Sequence, residues 1–173
     1  MILGMSTQTF TLLHVAISLI GIFSGFIAII GMLGSRRPGG WTALFLITTI
    51  LTSITGFPIP PFGFDPPRAV GVISLIALAA ALFALYRERL AGAWRWIYVI
   101  CAVFALYLNI FVGVVQAFQK LAFLHRLAPT QSEPPFLVAQ IVVMAIFVLL
   151  GFLAVRRFHP ETIYRTQTVE MVR

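Results

Sequence analysis

Five long stretches without a charged residue divide this chain, and they constrain its fold more than any other feature of the sequence. They cover residues 1–35, 38–64, 69–86, 96–119 and 134–155. An α-helix rises 1.5 Å per residue, so about 20 apolar residues are needed to cross about 30 Å of hydrocarbon. Each stretch therefore accommodates one membrane-spanning helix.

The composition excludes most soluble classes of protein. Of the 173 residues, 60% are hydrophobic and 10% are charged, and the mean hydropathy is +1.01. Soluble domains contain about 45–50% apolar and about 25% charged residues, so a soluble enzyme, a disordered chain and a solenoid are all disfavoured. We predict an all-α, polytopic integral membrane bundle. It forms one domain over residues 1–158, with spans at 10–33, 41–57, 69–86, 95–119 and 136–155, followed by a short cytoplasmic tail over 159–173.

The distribution of basic residues predicts the orientation of the bundle. Nine basic residues lie in the first and third connections and in the tail, against three on the other side, Arg68, Lys120 and Arg126. Cytoplasmic segments carry the excess of Lys and Arg, which predicts an outer N-terminus and a cytoplasmic C-terminus. Trp41, Trp94 and Trp96 all fall at predicted cytoplasmic helix ends, as expected for an interfacial aromatic belt. The excess of Arg over Lys suggests a bacterial protein, located in the cytoplasmic (inner) membrane.

The net charge of +7 is also interpreted from where the basic residues lie. The basic residues lie at helix ends and form no separate basic domain, so we expect contacts with membrane lipids and none with nucleic acid. The hydrophobic N-terminal segment carries no Lys or Arg before Phe10, and no cleavage site of small residues follows it. We therefore expect it to remain as the first helix rather than to be removed as a signal peptide.

Helical spacing places polar and small residues on particular faces. In the first span His14, Ser18, Gly21, Gly25 and Ala28 form one stripe, in which the two glycines predict close packing of another helix. The fourth span carries a comparable stripe, Asn109, Gly113, Gln116 and Lys120, and Gln140 follows in the fifth. Hydroxyl residues, including Thr52, Ser53 and Thr55, end the second span.

In the predicted orientation these polar groups lie in the outer half of the membrane. Unpaired polar groups in hydrocarbon cost several kcal/mol, so the amides should face one another, water or a ligand. We predict an outward-facing polar site that binds a lipid-like or other small ligand, or a partner subunit, which includes a second copy of the chain. The candidate ligand-binding residues are His14, Ser18, Asn109, Gln116 and Gln140. Hydrogen bonding among these groups alone, as interhelical contacts, is an equal alternative.

Few residues point to catalysis. The predicted spans hold no carboxylate, and the chain has no phosphate-binding glycine loop and no zinc-protease or nucleophile-elbow motif. We therefore predict no catalytic residue, no metal site and, as the leading interpretation, no cofactor and no enzymatic activity. One alternative is a redox protein with haem b between His14 and His125, although His125 is expected in a loop. A small permease is another.

Both predicted outer loops end in an acidic residue followed by two prolines, at 65–67 and 133–135. Proline suits the first turn of a helix, because its missing N–H would lack a partner there, and a carboxylate complements the positive end of the helix dipole. We therefore interpret Asp65 and Glu133 as helix caps rather than catalytic groups.

Overall fold

The chain folds into a bundle of long helices with one short helix beside it. The computed structural model describes residues 2, 4–60 and 66–160, and no β-strand occurs in these ranges. The helices are α1 Thr7–Leu33, α2 Gly39–Gly56, α3 Pro66–Leu82, α4 Trp94–Lys120, α5 Ala122–Leu127 and α6 Pro134–Arg157. Apart from α5, each of these helices is long and apolar enough to cross a membrane, with α3 continuing through a π-helical turn to Arg87. The predicted all-α multi-pass membrane bundle is confirmed.

The helices begin slightly earlier than their apolar patterns predict. The first span was expected from Phe10, but α1 begins at Thr7 because the Ser6 side chain accepts a hydrogen bond from the Thr9 backbone N–H, 3.1 Å away. Similarly, α3 and α6 begin at Pro66 and Pro134, since proline fits a first turn without losing a hydrogen bond. Hydropathy marks the lipid-facing part of a helix, whereas capping groups determine where it starts.

The connection between α4 and α6 differs from the expected loop. Residues Ala122–Leu127 form α5, so His125 lies on a helix and the loop prediction for it is wrong. From Leu121 to Ala128 the sequence holds neither proline nor glycine, and nothing there interrupts a helical turn. No residue of α5 is buried.

Glu133 occupies the N-cap position of α6, but its side chain does not cap that helix. It accepts hydrogen bonds instead from the Thr130 backbone N–H and hydroxyl, at 3.2 and 3.0 Å, and from the Ser132 N–H at 3.1 Å. Slight loss of hydration would raise its pKa, but these hydrogen bonds to the charged form outweigh it and lower the pKa. The carboxylate thus orders the preceding loop. Asp65, the other predicted cap, lies outside the described residues.

The bundle has two distinct ends. We call the end where α1 begins and α4 finishes the N-terminal end. The opposite end, here the arginine end, carries the α1–α2 and α3–α4 connections and the finish of α6, with Arg36, Arg37, Arg87, Arg89, Arg95, Arg156 and Arg157. Arg95 donates to the Phe158 carbonyl at 3.0 Å, and the His159 N–H donates to the Ser35 hydroxyl at 2.9 Å. These bonds join the start of α4, the end of α6 and the α1–α2 turn.

Most of the buried core belongs to the first four spanning helices. Helix α4 packs against α1, α2, α3 and α6, whereas α6 contacts mainly α4 and one edge of α1. Leu106 of α4 meets Phe45 of α2 beside Gly25 of α1, where all three residues are buried. A Cβ atom on Gly25 would lie 2.7 Å from Leu106 Cδ1, so the predicted close approach at the glycine stripe is confirmed.

Candidate functional site

Three interhelical hydrogen bonds connect α2 to its neighbours in the half of the bundle toward the N-terminal end. His14 Nδ1 of α1 lies 2.8 Å from Thr55 Oγ1, and the Ser18 hydroxyl donates to Thr52 Oγ1 at 3.4 Å. The Asn109 amide of α4 donates to Thr49 Oγ1, also at 3.4 Å. The three threonines are three residues apart and so follow one side of α2. Three of the five predicted site residues therefore form hydrogen bonds to α2.

The hydroxyl of Thr55 identifies the proton position on His14. Thr55 donates its own proton to the Leu51 carbonyl at 2.7 Å, so its oxygen accepts from His14. The imidazole must then carry its proton on Nδ1 when it is neutral, which leaves the Nε2 lone pair available. Nε2 has no hydrogen-bond partner among the described residues. His14 is half-buried, and it can accept a hydrogen bond from a ligand or from water.

On the side of α4 that faces α1 and α2, packing is tight at Leu106 and open at Gly113, and we call this open stretch toward the N-terminal end the cleft. At Leu106 and Gly25 the helices are in close contact, as described above. Gly113 lies seven residues, or about 10 Å, further along the same side of α4, yet a Cβ there would meet no atom of the described residues within 4 Å, and Gly113 is exposed. Helix α4 therefore diverges from its neighbours between these two levels.

Polar residues of α4 follow the same side of the helix as this cleft. Asn109, Gly113, Gln116 and Lys120 are separated by steps of four, three and four. Lys120 is exposed at the last residue of α4. Gln116 is half-buried, and its amide has no hydrogen-bond partner among the described residues. Amide and ammonium donors from Asn109, Gln116 and Lys120 thus follow the cleft, and His14 offers its acceptor from the α1–α2 pair in the same half of the bundle.

Gln140 lies apart from this group. It sits on α6 and donates to the Phe111 carbonyl of α4 at 3.3 Å, while its buried Oε1 atom has no partner in the described structure. This places it between α4 and α6, on a different side of α4 from Asn109. Of the five predicted residues, His14, Ser18 and Asn109 therefore bond to α2, Gln116 follows Asn109 along α4, and Gln140 joins another pair of helices.

Several polar residues of this region, among them Thr49 and Gln131, were not among the predicted site residues. Thr49 is fully buried and accepts from Asn109, and its place in the three-residue spacing Thr49, Thr52, Thr55 was a usable signal. Gln131 donates to the Val115 carbonyl at 2.9 Å and lies 3.4 Å from the Gln119 amide nitrogen. It occupies a loop position with φ of 61°, to which helical periodicity does not apply.

The chemistry of the cleft is that of hydrogen bonding. Ser18 donates to Thr52 and His14 to Thr55, so these two residues do not form a nucleophile and base pair with each other. Among the described residues, no group of three or more His, Cys, Asp or Glu side chains could hold a metal ion. His125 is exposed on α5, and a haem between it and His14 stays a prediction from the sequence.

Comparison of the chain with protein-family models, with curated proteins and with solved structures finds no match.

Proposed function

We propose that this chain is a non-enzymatic, multi-pass protein of a bacterial cytoplasmic (inner) membrane that binds a lipid-like small molecule in the cleft between α4 and α1–α2. The observation that supports this most strongly is the divergence of the helices between Leu106 and Gly113. Polar side chains that only joined helices would be expected where the helices touch. Gln116 and Lys120 lie instead along the stretch of α4 where the helices are apart.

The chemistry of the walls favours an amphiphile with an acidic headgroup. Lys120 supplies a positive charge, Asn109 and Gln116 supply amide donors, and the outer faces of α1 and α4 are apolar. The excess of basic residues at the arginine end supports a cytoplasmic position for that end. The cleft then opens toward the outer leaflet, where a headgroup would meet Lys120 and an acyl chain would enter between the helices.

A thiol-labelling experiment tests whether the cleft is open to water. Cys101 is replaced by Ala, and a single cysteine is introduced by Gly113→Cys or, as a control, by Val138→Cys. Val138 is 57% exposed on α6, and the Gln140–Phe111 bond places it at a depth similar to that of Gly113. A membrane-impermeant maleimide should label position 113 at least about tenfold faster than 138, because thiolate forms in water and not in hydrocarbon. Equal rates would mean that Gly113 faces lipid.

The ligand class is tested with dodecyl phosphate as the probe and dodecyl maltoside as the matched uncharged amphiphile. Dodecyl phosphate should slow labelling of Gly113→Cys at least about threefold, and Lys120→Gln should remove most of that protection, since the cation at the cleft mouth is lost. The maltoside should have little effect. If labelling is fast and dodecyl phosphate gives no protection, the cleft holds water and the ligand-binding proposal is wrong.

A further inference from the structure

A second depression lies on the opposite side of α4, between that helix and α6. It is a groove of about 570 Å³ that extends from Tyr107 and Met144 to Phe152 and Val155. From Met144 to Val155 the helix rises by about 16 Å, which is roughly half of the 30 Å hydrocarbon core. The groove therefore spans the depth of one leaflet, the leaflet at the arginine end.

The floor and walls of the groove are apolar and well supported. Its floor lies where α4 and α6 approach at Gly151, since a Cβ on this glycine would be 3.5 Å from Val103 Cγ1. On one wall the Tyr107 and Phe147 rings pack with centroids 5.8 Å apart. Phe147 is buried and also contacts Phe26 of α1. The shape of the groove is thus fixed by packed side chains rather than by loops.

Positive charge is concentrated where the groove reaches the membrane surface. The Arg156 guanidinium lies 4.3 Å from the centre of the Phe152 ring, which is itself a groove residue. This cation–π contact holds the charge above the groove rather than away from it. Arg157 is adjacent, and Arg95 lies nearby through its bond to Phe158. Among the described residues Glu88 is the single acidic side chain at this end.

We propose that the α4–α6 groove binds an anionic diacyl phospholipid of the leaflet at the arginine end, with one acyl chain along Gly151 and the phosphate on Arg156. The length of the groove fits the acyl region of one leaflet, and a guanidinium matches a phosphate group in charge and geometry. The groove fits a lipid better than a helix from a second copy of the chain, because such a helix would also cover the exposed face of α6 between its first residue and Met144. This site is separate from the cleft of the proposed function.

Paired arginine variants test the headgroup contact. Native mass spectrometry of the full chain in detergent would measure retention of added dioleoyl phosphatidylglycerol. The comparison lipid is dioleoyl phosphatidylcholine, whose headgroup is zwitterionic and carries no net charge. Arg156→Gln should weaken phosphatidylglycerol binding about fivefold, which corresponds to about 1 kcal/mol for one arginine at the surface. Arg157→Gln, which removes the same charge one residue away, should change it less than about twofold. Equal effects of the two variants would indicate general surface electrostatics and overturn the proposal.

Variants of the groove itself test the acyl-chain contact. Gly151→Leu adds a side chain on the groove floor and should reduce retention of both lipids at least about fivefold. Val148→Trp, which narrows the groove, is the second variant in case Gly151→Leu does not fold, and Leu149→Trp is its control because Leu149 is exposed but does not line the groove. Unchanged lipid retention in folded Gly151→Leu or Val148→Trp would refute the site. A dimer that Val148→Trp disrupts and Leu149→Trp does not would show a second copy in the groove instead.

Discussion

Adding a single methyl group at Gly25 should destabilise the bundle, although alanine is the better helix former. The new Cβ would lie 2.7 Å from Leu106 Cδ1 and 2.9 Å from Phe45 Cδ2, whereas carbon atoms in ordinary contact are about 3.5–4.0 Å apart. Both partner side chains are at most 1% exposed, so neither can move into free space. The helices themselves must separate.

The expected size of the effect follows from two opposing contributions. Overpacking of a close-packed interior lowers the free energy of unfolding by about 1–3 kcal/mol. Replacing a helical glycine by alanine raises it by up to about 1 kcal/mol. Gly25→Ala should therefore lower the free energy of unfolding by about 1–2 kcal/mol. Gly113→Ala is the matched control, because its Cβ would meet no atom of the described residues within 4 Å. That variant should be neutral or more stable by up to about 1 kcal/mol.

Unfolding in mixed micelles with increasing dodecyl sulfate would measure both variants. A double-mutant cycle with Leu106→Ala identifies the contact, because shortening Leu106 removes the nearest clash. The loss of stability caused by Gly25→Ala should be smaller by about 1 kcal/mol when Leu106 is already replaced by Ala. Strict additivity, or a Gly25→Ala protein as stable as the original, would show that α1 and α4 do not meet at this level.

Three further predictions concern hydrogen bonds. Thr55→Val removes the acceptor of His14 Nδ1–H and should lower the free energy of unfolding by about 1 kcal/mol in the same assay. The control is Thr11→Val, which should cost less, because the Thr11 hydroxyl bonds only to the Thr7 carbonyl within α1. Equal losses would contradict the interhelical bond. Thr49→Val leaves the Asn109 amide without its partner, and Asn109→Leu should restore part of the lost stability; a double variant less stable than Thr49→Val would refute this pairing. Hydrogen bonds lower the pKa of Glu133 in the folded chain, so the order that its carboxylate gives the loop should be complete above the usual pKa of 4.5 and lost as the pH falls through the lowered pKa. Amide hydrogen exchange at Thr130 would measure this order. Protection that persists in Glu133→Gln would show that the charge is not responsible.

The fold was predictable because each span carries its own signal. A stretch without charge is sufficient to identify a membrane helix, and Gly21 and Gly25 at helical spacing indicated where helices approach. The boundaries were less accurate, since Ser6 and the prolines act at positions that hydropathy does not mark. Helix α5 was missed because one and a half turns are too short for a recognisable period.

The places of the candidate site residues on their helices were predictable, but their hydrogen-bond partners were not. Periodicity placed His14, Ser18 and Asn109 on defined faces, and the topology placed them near the same end. Which threonine each would meet depends on helix rotation and crossing, which one sequence does not specify. Gln140 illustrates the limit, since its depth was anticipated while its partner, a backbone carbonyl of α4, was not. The α4–α6 groove gave no polar signal because it is a space between apolar surfaces.

The peripheral position of α6 has a consequence for biosynthesis. A membrane protein leaves the ribosome from its N-terminus, and by the time α4 has been made the chain already contains the residues of most of the buried core. Helix α6 contributes Gln140, Phe147 and Ala154 to the interior, and it contacts the other helices along one flank of the bundle. It can therefore join an assembled four-helix unit from the side, without any earlier helix having to move apart to admit it.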